Sequence, residues 1–557
     1  MKITNLFSIA AVSLALSATS CIKEIEPQNS TVTGEQAGNA PGSFNNFVAA
    51  ITSSLNGAFT YSGGDNAVYD FGYPSFMLMR DVMGQDIATE DGNEWYSTWY
   101  GCGTGLGPQY AVSQYPWTYY YGWIKSCNTV ITLSGETPEG EKKTGAGIAY
   151  AMRAMFYMDM ARMFAPATYA KDKEAPTVPI ILENTNNPRA TNEVIWAQIL
   201  SDLDKAEENL ASYKRENIYT PDLSVVYGLK ARAYLTLEDW ANAEKYAKMA
   251  QSGYTAMNKE EYTSRTNGFN TPNNSWIFGL TFRSTDPNIL RNDGDSSWGS
   301  QMIIEVSESG CGYAANYGTP KRIDYHLYQT IPATDFRKNC FVDFAIDQME
   351  TKDEQIAALA VYSDVPEGLL TTAETTASMA VGGLELKFRP KNGEHANQYA
   401  AFTVAVPLMR VEEMMLIEAE AAGMQSEGRG IELLTRFAQL RDPEFEYGKH
   451  ASENYGSTYA TPFQNEVWWQ RRVELWAEGF ATFDIKRLDK GIIRNYAGTN
   501  HNPNNLWNFG GYDVNGNNIY PNWMDLCIVQ TETNYNSACT NNPTPLKPAD
   551  NSPEHQW

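Results

Sequence analysis

The stretch "ARAYLTLEDWANAEKYAKMAQSGY", residues 231–254, decides the fold. Val226, Leu229, Ala233 and Leu237 lead into it at three- and four-residue steps, the spacing that lines side chains along one face of a helix. Glu238 and Asp239 interrupt that pattern. It restarts with Trp240, Ala243, Ala247 and Ala250. Two amphipathic helices joined by so short a turn fold back on each other as an antiparallel hairpin. The Ala residues let the helices approach closely, with Tyr234 and Trp240 as the large partners.

A hairpin of this kind is the unit of tetratricopeptide-type scaffolds, and the same patterning continues to either side. Around 148–164, Ala149, Met152, Phe156, Met160 and Met163 make one apolar stripe. A second helical pair is expected near 407–440, with Leu408, Val411, Met415, Ala419 and Ala422 as its stripe. Helices therefore dominate 44–255 and 405–490, while 256–404 is rich in Gly, Asn, Ser and Thr. Within that middle stretch "SWIFGLTF" (275–282) and "LELKF" (384–388) read as brief strands. The fold class is mainly α: a tetratricopeptide-like helical-hairpin scaffold with a loop-rich insertion containing small β-strands, closed by a C-terminal loop region at 491–557. Insertions on rigid scaffolds are where binding usually resides.

The N-terminus speaks to location. Lys2 precedes an uncharged apolar run from Leu6 to Leu16, too short to span a bilayer, and Ala18, Thr19 and Ser20 follow it. Residues 1–20 read as a signal peptide, and Cys21 stands where a lipoprotein receives its acyl chains. Each buried methylene of such a chain contributes about 0.8 kcal/mol to membrane attachment. Residues 21–43 are then a lipidated Cys21 and a flexible tether, and 44–557 a single domain.

Composition narrows the function classes. The 557-residue chain is 43% hydrophobic, enough for a large core, and its formal net charge of −24 argues against nucleic acid or anionic lipid surfaces as partners. Fourteen Trp and 33 Tyr invite the idea of stacking platforms for sugars or peptides, although most such rings pack helices together. Beyond Cys21, Cys102, Cys127, Cys311, Cys340, Cys527 and Cys539 show no metal-like spacing, and Cys527 and Cys539 are the nearest candidates for a disulfide. The histidines at 326, 395, 450, 501 and 555 form no HExxH or triad pattern. "GCGTGLG" (101–107) lacks the lysine of a phosphate loop and reads as a flexible loop. "DVNGNN" (513–518) has no glycine at the sixth place and Met524 at the twelfth, so Asn515-Gly516 is a hairpin turn and not a calcium loop. No catalytic residue, metal site or cofactor is expected.

One further motif invites chemistry. If residues 469–480 form one helix, Trp469, Val473, Trp476 and Phe480 share a face while Arg471, Glu474 and Glu478 project opposite. A proton-sharing carboxylate pair needs isolation from cations. Arg471, Arg472, Lys486 and Arg487 stand nearby, so Glu474 and Glu478 are expected to be ion-paired structural groups.

Several motifs, in order, carry a resemblance. "YYYGWIKSCNTVI" (119–131), "AYAMRAMFYMDMARMFAP" (149–166), "TDFRKNCF" (334–341), "VPLMRVEEMMLIEAEAAG" (406–423), "QRRVELWAEGFATFDIKRL" (470–488) and "VQTETNYN" (529–536) resemble the SusD/RagB family of outer-membrane lipoproteins. The acid-bearing run Ile22, Lys23, Glu24, Ile25 and Glu26 likewise resembles the export signal of Bacteroidetes surface lipoproteins. The resemblance implies a lid over a SusC-like TonB-dependent transporter, lipid-anchored at the outer membrane and facing the exterior, that captures glycans. RagB-type members capture peptides instead. The same helices could also serve a tetratricopeptide-type interaction or adhesion protein with no small ligand.

The ligand site is expected in two places. The cluster Tyr73, Arg80, Asp81, Asp86, Trp95, Tyr96, Trp99 and Tyr100 combines rings for the C–H faces of sugars with groups for their hydroxyls. By the family resemblance, Trp298 and Tyr313 are the matching aromatics of the insertion. Exposure of Trp95, Trp99 and Trp298 would favour ligand capture, and burial of all three would favour the adhesion reading.

Overall fold

The computed structural model describes residues 42–57, 71–90, 92, 95–102, 104–182, 187–266, 268–290, 297–306, 312–365, 379–510, 524–545 and 552–557. The signal peptide, Cys21, most of the tether, Cys311 and the Asn515-Gly516 turn lie outside these residues.

The hairpin at the centre of the sequence is present. Helix α6 (Leu223–Leu237) starts at Asp222, whose carboxylate accepts the Ser224 and Val225 N–H groups. It ends where Glu238 turns left-handed at φ 58° and the Asp239 N–H returns to the Tyr234 carbonyl at 3.0 Å. Asp239 then caps helix α7 (Trp240–Ala250) by accepting the Asn242 N–H. A cap with free carboxylate oxygens satisfies N–H groups that a helix start leaves orphaned.

This pair belongs to a longer stack. Helices α1 (Ser43–Ser53), α2 (Tyr73–Val82), α3 (Ala111–Ser134), α4 (Gly140–Phe164) and α5 (Asn192–Leu210) precede it, and α8 (Val411–Gln425) and α9 (Glu427–Gln439) follow. From α3 to α9 each helix packs on the next. Because α4 lies between α3 and α5, it is buried on nearly all sides from Gly145 to Phe164, not along the single stripe its spacing suggests. Its Arg153 is accommodated by a two-pronged ion pair to Asp202, at 2.7 and 2.8 Å.

The insertion is a side excursion between α7 and α8. Strand β2 (Trp276–Thr281) on its way out pairs antiparallel with β4 (Ala405–Arg410) on its way back. The second helical pair accordingly starts at Val411, and Leu408 lies in β4: Pro407 cannot supply the N–H a helix interior needs. "LELKF" is not a strand of its own. It is pinned between two segments, with Ile323 N–H on the Gly383 carbonyl and Leu386 N–H on the Cys340 carbonyl. Strands β1 (Ile87–Ala88) and β3 (Arg322–Ile323) join the N-terminal region to the insertion. A separate apolar cluster, including Ile304, Val342, Leu359 and Leu384, forms the insertion's own core.

Helices α10 (Pro462–Glu474) and α11 (Ala481–Arg487) complete the scaffold. The expected continuous helix through Phe480 breaks after Glu474, where Ala477 and Gly479 adopt φ of 60° and 87°. The break sends Trp476 and Glu478 into different neighbours from those a straight helix would reach. The described residues after 491 are mostly irregular but packed, for example with Leu526 N–H on the Met163 carbonyl at 3.0 Å. Cys102, Cys127, Cys340, Cys527 and Cys539 are free thiols, so Cys527 and Cys539 do not pair. Among the described residues, no helix is long and apolar enough to cross a membrane.

Candidate functional site

Four of the sequence candidates are structural. Tyr73, Arg80, Asp81 and Asp86, on or just after α2, are buried. The Tyr73 hydroxyl donates to Asp159 at 2.6 Å, and Arg80 donates to the Gly479 carbonyl at 2.8 Å. Asp81 accepts the Gly479 and Ala481 N–H groups at 2.6 and 3.0 Å. Burial pushes its carboxyl up to about 7 against those donors and Arg80. Asp86 is also raised by burial, which a two-pronged Arg472 pair opposes. These groups bolt α2 to the Arg471–Arg487 region. Their hydrogen-bonding capacity is spent inside the protein, which leaves them no face for a ligand.

The aromatic run sorts by helical geometry. Ser97–Tyr100 forms one helical turn that starts from Tyr96. Positions 96, 99 and 100 share a face, and that face is the buried one. Tyr96 and Ser75 hydroxyls meet at 2.9 Å, Tyr96 packs on Trp99 at 5.4 Å, and the Tyr100 hydroxyl meets His501 Nδ1 at 2.7 Å. Trp95 stands before the cap of that turn, outside the helix, and is 39% exposed. The expectation that the whole run displays stacking surfaces therefore holds for one ring.

The insertion sorts the same way. Trp298 is buried, edge-on to Phe388 at 4.7 Å and 90°, so it is core and not platform. Tyr313 opens the turn Tyr313–Asn316, with its N–H donating to Ser300 Oγ at 2.7 Å. Gly312 before it has φ +80°, and a Cβ there would lie 2.6 Å from the Phe402 ring. Tyr313 and Tyr317, four apart on this turn, stack obliquely at 4.5 Å. Tyr313 also meets Trp95 edge-on at 6.1 Å.

Trp95, Tyr313 and Tyr317 thus form a contiguous aromatic patch from two distant chain segments, with Tyr317 47% exposed. Tyr317 was not among the sequence candidates. Its signal was the four-residue step from Tyr313 between Gly312 and Gly318, which marks a single helical turn with both rings on one side. On the β1–β3 edge, Arg322 pairs with Glu90 at 3.3 Å and Asn502 donates to Glu90 at 3.0 Å. Of the three tryptophans whose exposure was to decide between capture and adhesion, one is exposed and two are buried.

Glu474 and Glu478 are ion-paired, as expected, but to different partners. Arg337, Arg410 and Arg441 surround Glu474 at 2.9–3.2 Å, while Arg410 and Lys387 hold Glu478 at 2.7–2.8 Å. Burial alone would raise the Glu474 carboxyl; the three guanidiniums instead hold it well below the usual range. The nearby cations named from the sequence go elsewhere: Arg471 to Asp484, Arg472 to Asp86, Lys486 to Asp525 and Arg487 to Glu420.

Residues 45–235 match the SusD-like family described as "Starch-binding associating with outer membrane". Over that segment the chain is similar to SusD-like proteins. A SusD-like protein of Formosa agariphila is 20% identical over 405 residues, covering 70% of this chain and 74% of that protein. The crystal structure of a SusD-like carbohydrate binding protein from Bacteroides vulgatus superposes with a TM-score of 0.67 at 20% identity, over 89% of this chain and 97% of the other. Surface glycan-binding protein A from Bacteroides thetaiotaomicron, in complex with laminarihexaose, gives 0.59 at 15% identity over 90% and 98%. At these identities the structural likeness is one of fold. The SusD-like helical scaffold is the same, and the ligand-facing residues have to be read from this chain itself.

Proposed function

We propose that this SusD-like chain is a surface lipoprotein that captures a glycan on the Trp95–Tyr313–Tyr317 patch and delivers it to a SusC-like TonB-dependent transporter. The carrying observation is the patch: two substantially exposed rings bridged by a third, fixed on a rigid scaffold. Aromatic faces pack against apolar C–H faces, and their low conformational freedom makes such contacts cheap to form. Glu90 and Arg322, near the patch residues in sequence, and Asn502, bonded to Glu90, add donors and acceptors. A net charge of −24 favours a neutral polymer over an anionic one. The laminarihexaose complex of a protein with this fold supports the class of ligand, and the lipidation expected at Cys21 from the sequence supports the placement at the outer face of the outer membrane.

The test is affinity retardation and calorimetry of the chain lacking residues 1–21, against neutral polysaccharides and peptides. Binding to one polysaccharide class, lost in Trp95→Ala and Tyr317→Ala, is the expected result. Binding of peptides alone would replace the glycan reading with peptide capture. Glycan binding that survives both substitutions would move the site elsewhere.

A further inference from the structure

A second site lies inside the scaffold. Between the end of α4, the start of α5, α6 and the α10–α11 region is a small, partly open cleft. It shares no lining residue with the aromatic patch. Five cations line it (Arg162, Arg232, Arg471, Lys486 and Arg487), against two lining carboxylates, Glu413 and Asp484.

The lining cations are held by ion pairs, several of them to carboxylates outside the lining. Arg232 pairs with Glu413, Lys486 with Asp525, and Arg487 with Glu420 and Asp484. Arg471 takes the other oxygen of Asp484 at 2.7 Å. Asp159 is shared by Arg162 and Arg80. Arg80 also lies beside Asp81, which accepts the Gly479 and Ala481 N–H groups. Burial, together with Arg232 and Arg80, pushes the Arg162 guanidinium below its ordinary value despite Asp159. Arg471 is only 3% exposed, and its Nη1 is buried with no hydrogen-bond partner among the described residues. A buried charged donor left unpaired is costly.

The walls orient these groups. Phe483 lies 3.7 Å from the Arg162 guanidinium carbon, and Phe480 lies within 5.2 and 5.5 Å of those of Arg232 and Arg471. Rings against guanidinium faces leave the N–H edges for an acceptor. In a chain of strongly negative charge, this is a cleft lined by five cations and two carboxylates, with Arg471, whose Nη1 is unused, in its wall.

We propose that this cleft binds a small oxyanion, either inorganic phosphate or the carboxylate of a small organic acid. The oxygens of either match guanidinium N–H edges in the same way. The site is independent of glycan capture.

Two measurements on the chain lacking residues 1–21 test it at fixed ionic strength: the ³¹P linewidth of inorganic phosphate, and thermal unfolding in phosphate, acetate or chloride. A ligand that binds only the folded state raises the unfolding temperature saturably. We expect a saturable response to phosphate or acetate but not to chloride, weakened at least tenfold in Arg162→Gln and Arg471→Lys. A response to acetate alone assigns the site to carboxylates, and one to phosphate alone assigns it to phosphate. Arg162 is partly exposed, so its variant carries the test should Arg471→Lys fail to fold. No saturable response to either anion, or an equal one in Arg162→Gln, overturns the proposal.

Discussion

Arg472 grips Asp86 with both its Nε and Nη2 groups, at 2.6–3.0 Å, across 386 positions of sequence. The pair is buried, and its neighbours repeat the theme. Arg80 reaches the Gly479 carbonyl, and Asp81 takes the Gly479 and Ala481 N–H groups. The N-terminal segment that carries Trp95 is therefore fixed by the C-terminal motif as well as by α3 and α4. The same motif lines the oxyanion cleft, so two proposed sites rest on one set of ion pairs.

Removing one partner of a buried pair leaves the other charge uncompensated, which costs about 3–5 kcal/mol. Arg472→Ala should lose stability in that range, read as the shift of the urea midpoint by circular dichroism. It should also weaken glycan binding by loosening the Trp95 segment. A loss below about 1 kcal/mol would show that Asp86 finds another partner or water.

Glu474 sets a pH signature. Its carboxyl is lower in the folded protein than its ordinary value, because Arg441, Arg410 and Arg337 outweigh the effect of burial. An acid depressed on folding contributes stability that is present above its unfolded value, near 4.5, and lost as pH falls below it. Between about pH 4.5 and 3, unfolding of the wild-type chain should take up one more proton than unfolding of Glu474→Gln. The wild-type stability should then fall more steeply by about 1.4 kcal/mol per pH unit. Parallel slopes from denaturant titrations at stepped pH would contradict the ion-pair assignment.

Much of the scaffold was legible because its signals are local. The Glu238-Asp239 turn, the Asp222 and Asp239 caps and the Ala faces of α6 and α7 each act within a few residues. The all-round burial of α4 was not, since it depends on which helices arrive on either side. Nor were the partners of Glu474, because Arg337, Arg410 and Arg441 arrive from segments 33 to 137 positions away. At the patch, Trp95 was legible as one aromatic among several. Selecting it needed the rule that 96, 99 and 100 share a helical face, and finding Tyr317 needed the turn that Gly312 begins.

Helices α8 and α9 meet through glycine. A Cβ on Gly430 would lie 2.3 Å from the Gly423 Cα and 2.6 Å from the Phe463 ring. Backbone cannot yield as a side-chain tip can, so Gly430→Ala must part the two helices. Overpacking of this kind costs about 1–3 kcal/mol or more. Urea unfolding should show that loss with glycan binding retained, because the patch lies on other elements. Unchanged stability would mean that the two helices separate without penalty.

The sharpest separation of platform from core comes from comparing four aromatic substitutions. Trp99 and Trp298 are fully enclosed, and truncating such a ring costs about 3–5 kcal/mol through the cavity left behind. Trp95→Ala and Tyr317→Ala remove rings that are 39% and 47% exposed, so each should stay within about 1 kcal/mol of wild-type stability. For binding the order reverses. A contact at the centre of an interface is worth about 2 kcal/mol or more, so each of the exposed substitutions should weaken glycan affinity by at least tenfold. Calorimetric titration beside urea unfolding reads both quantities on the same four variants. If Trp95→Ala unfolds the protein as readily as Trp99→Ala does, its ring is a packing element and the patch is not a platform. If it leaves both stability and affinity untouched, the glycan is held elsewhere, and the polar groups Glu90, Arg322 and Asn502 lose their supporting role with it.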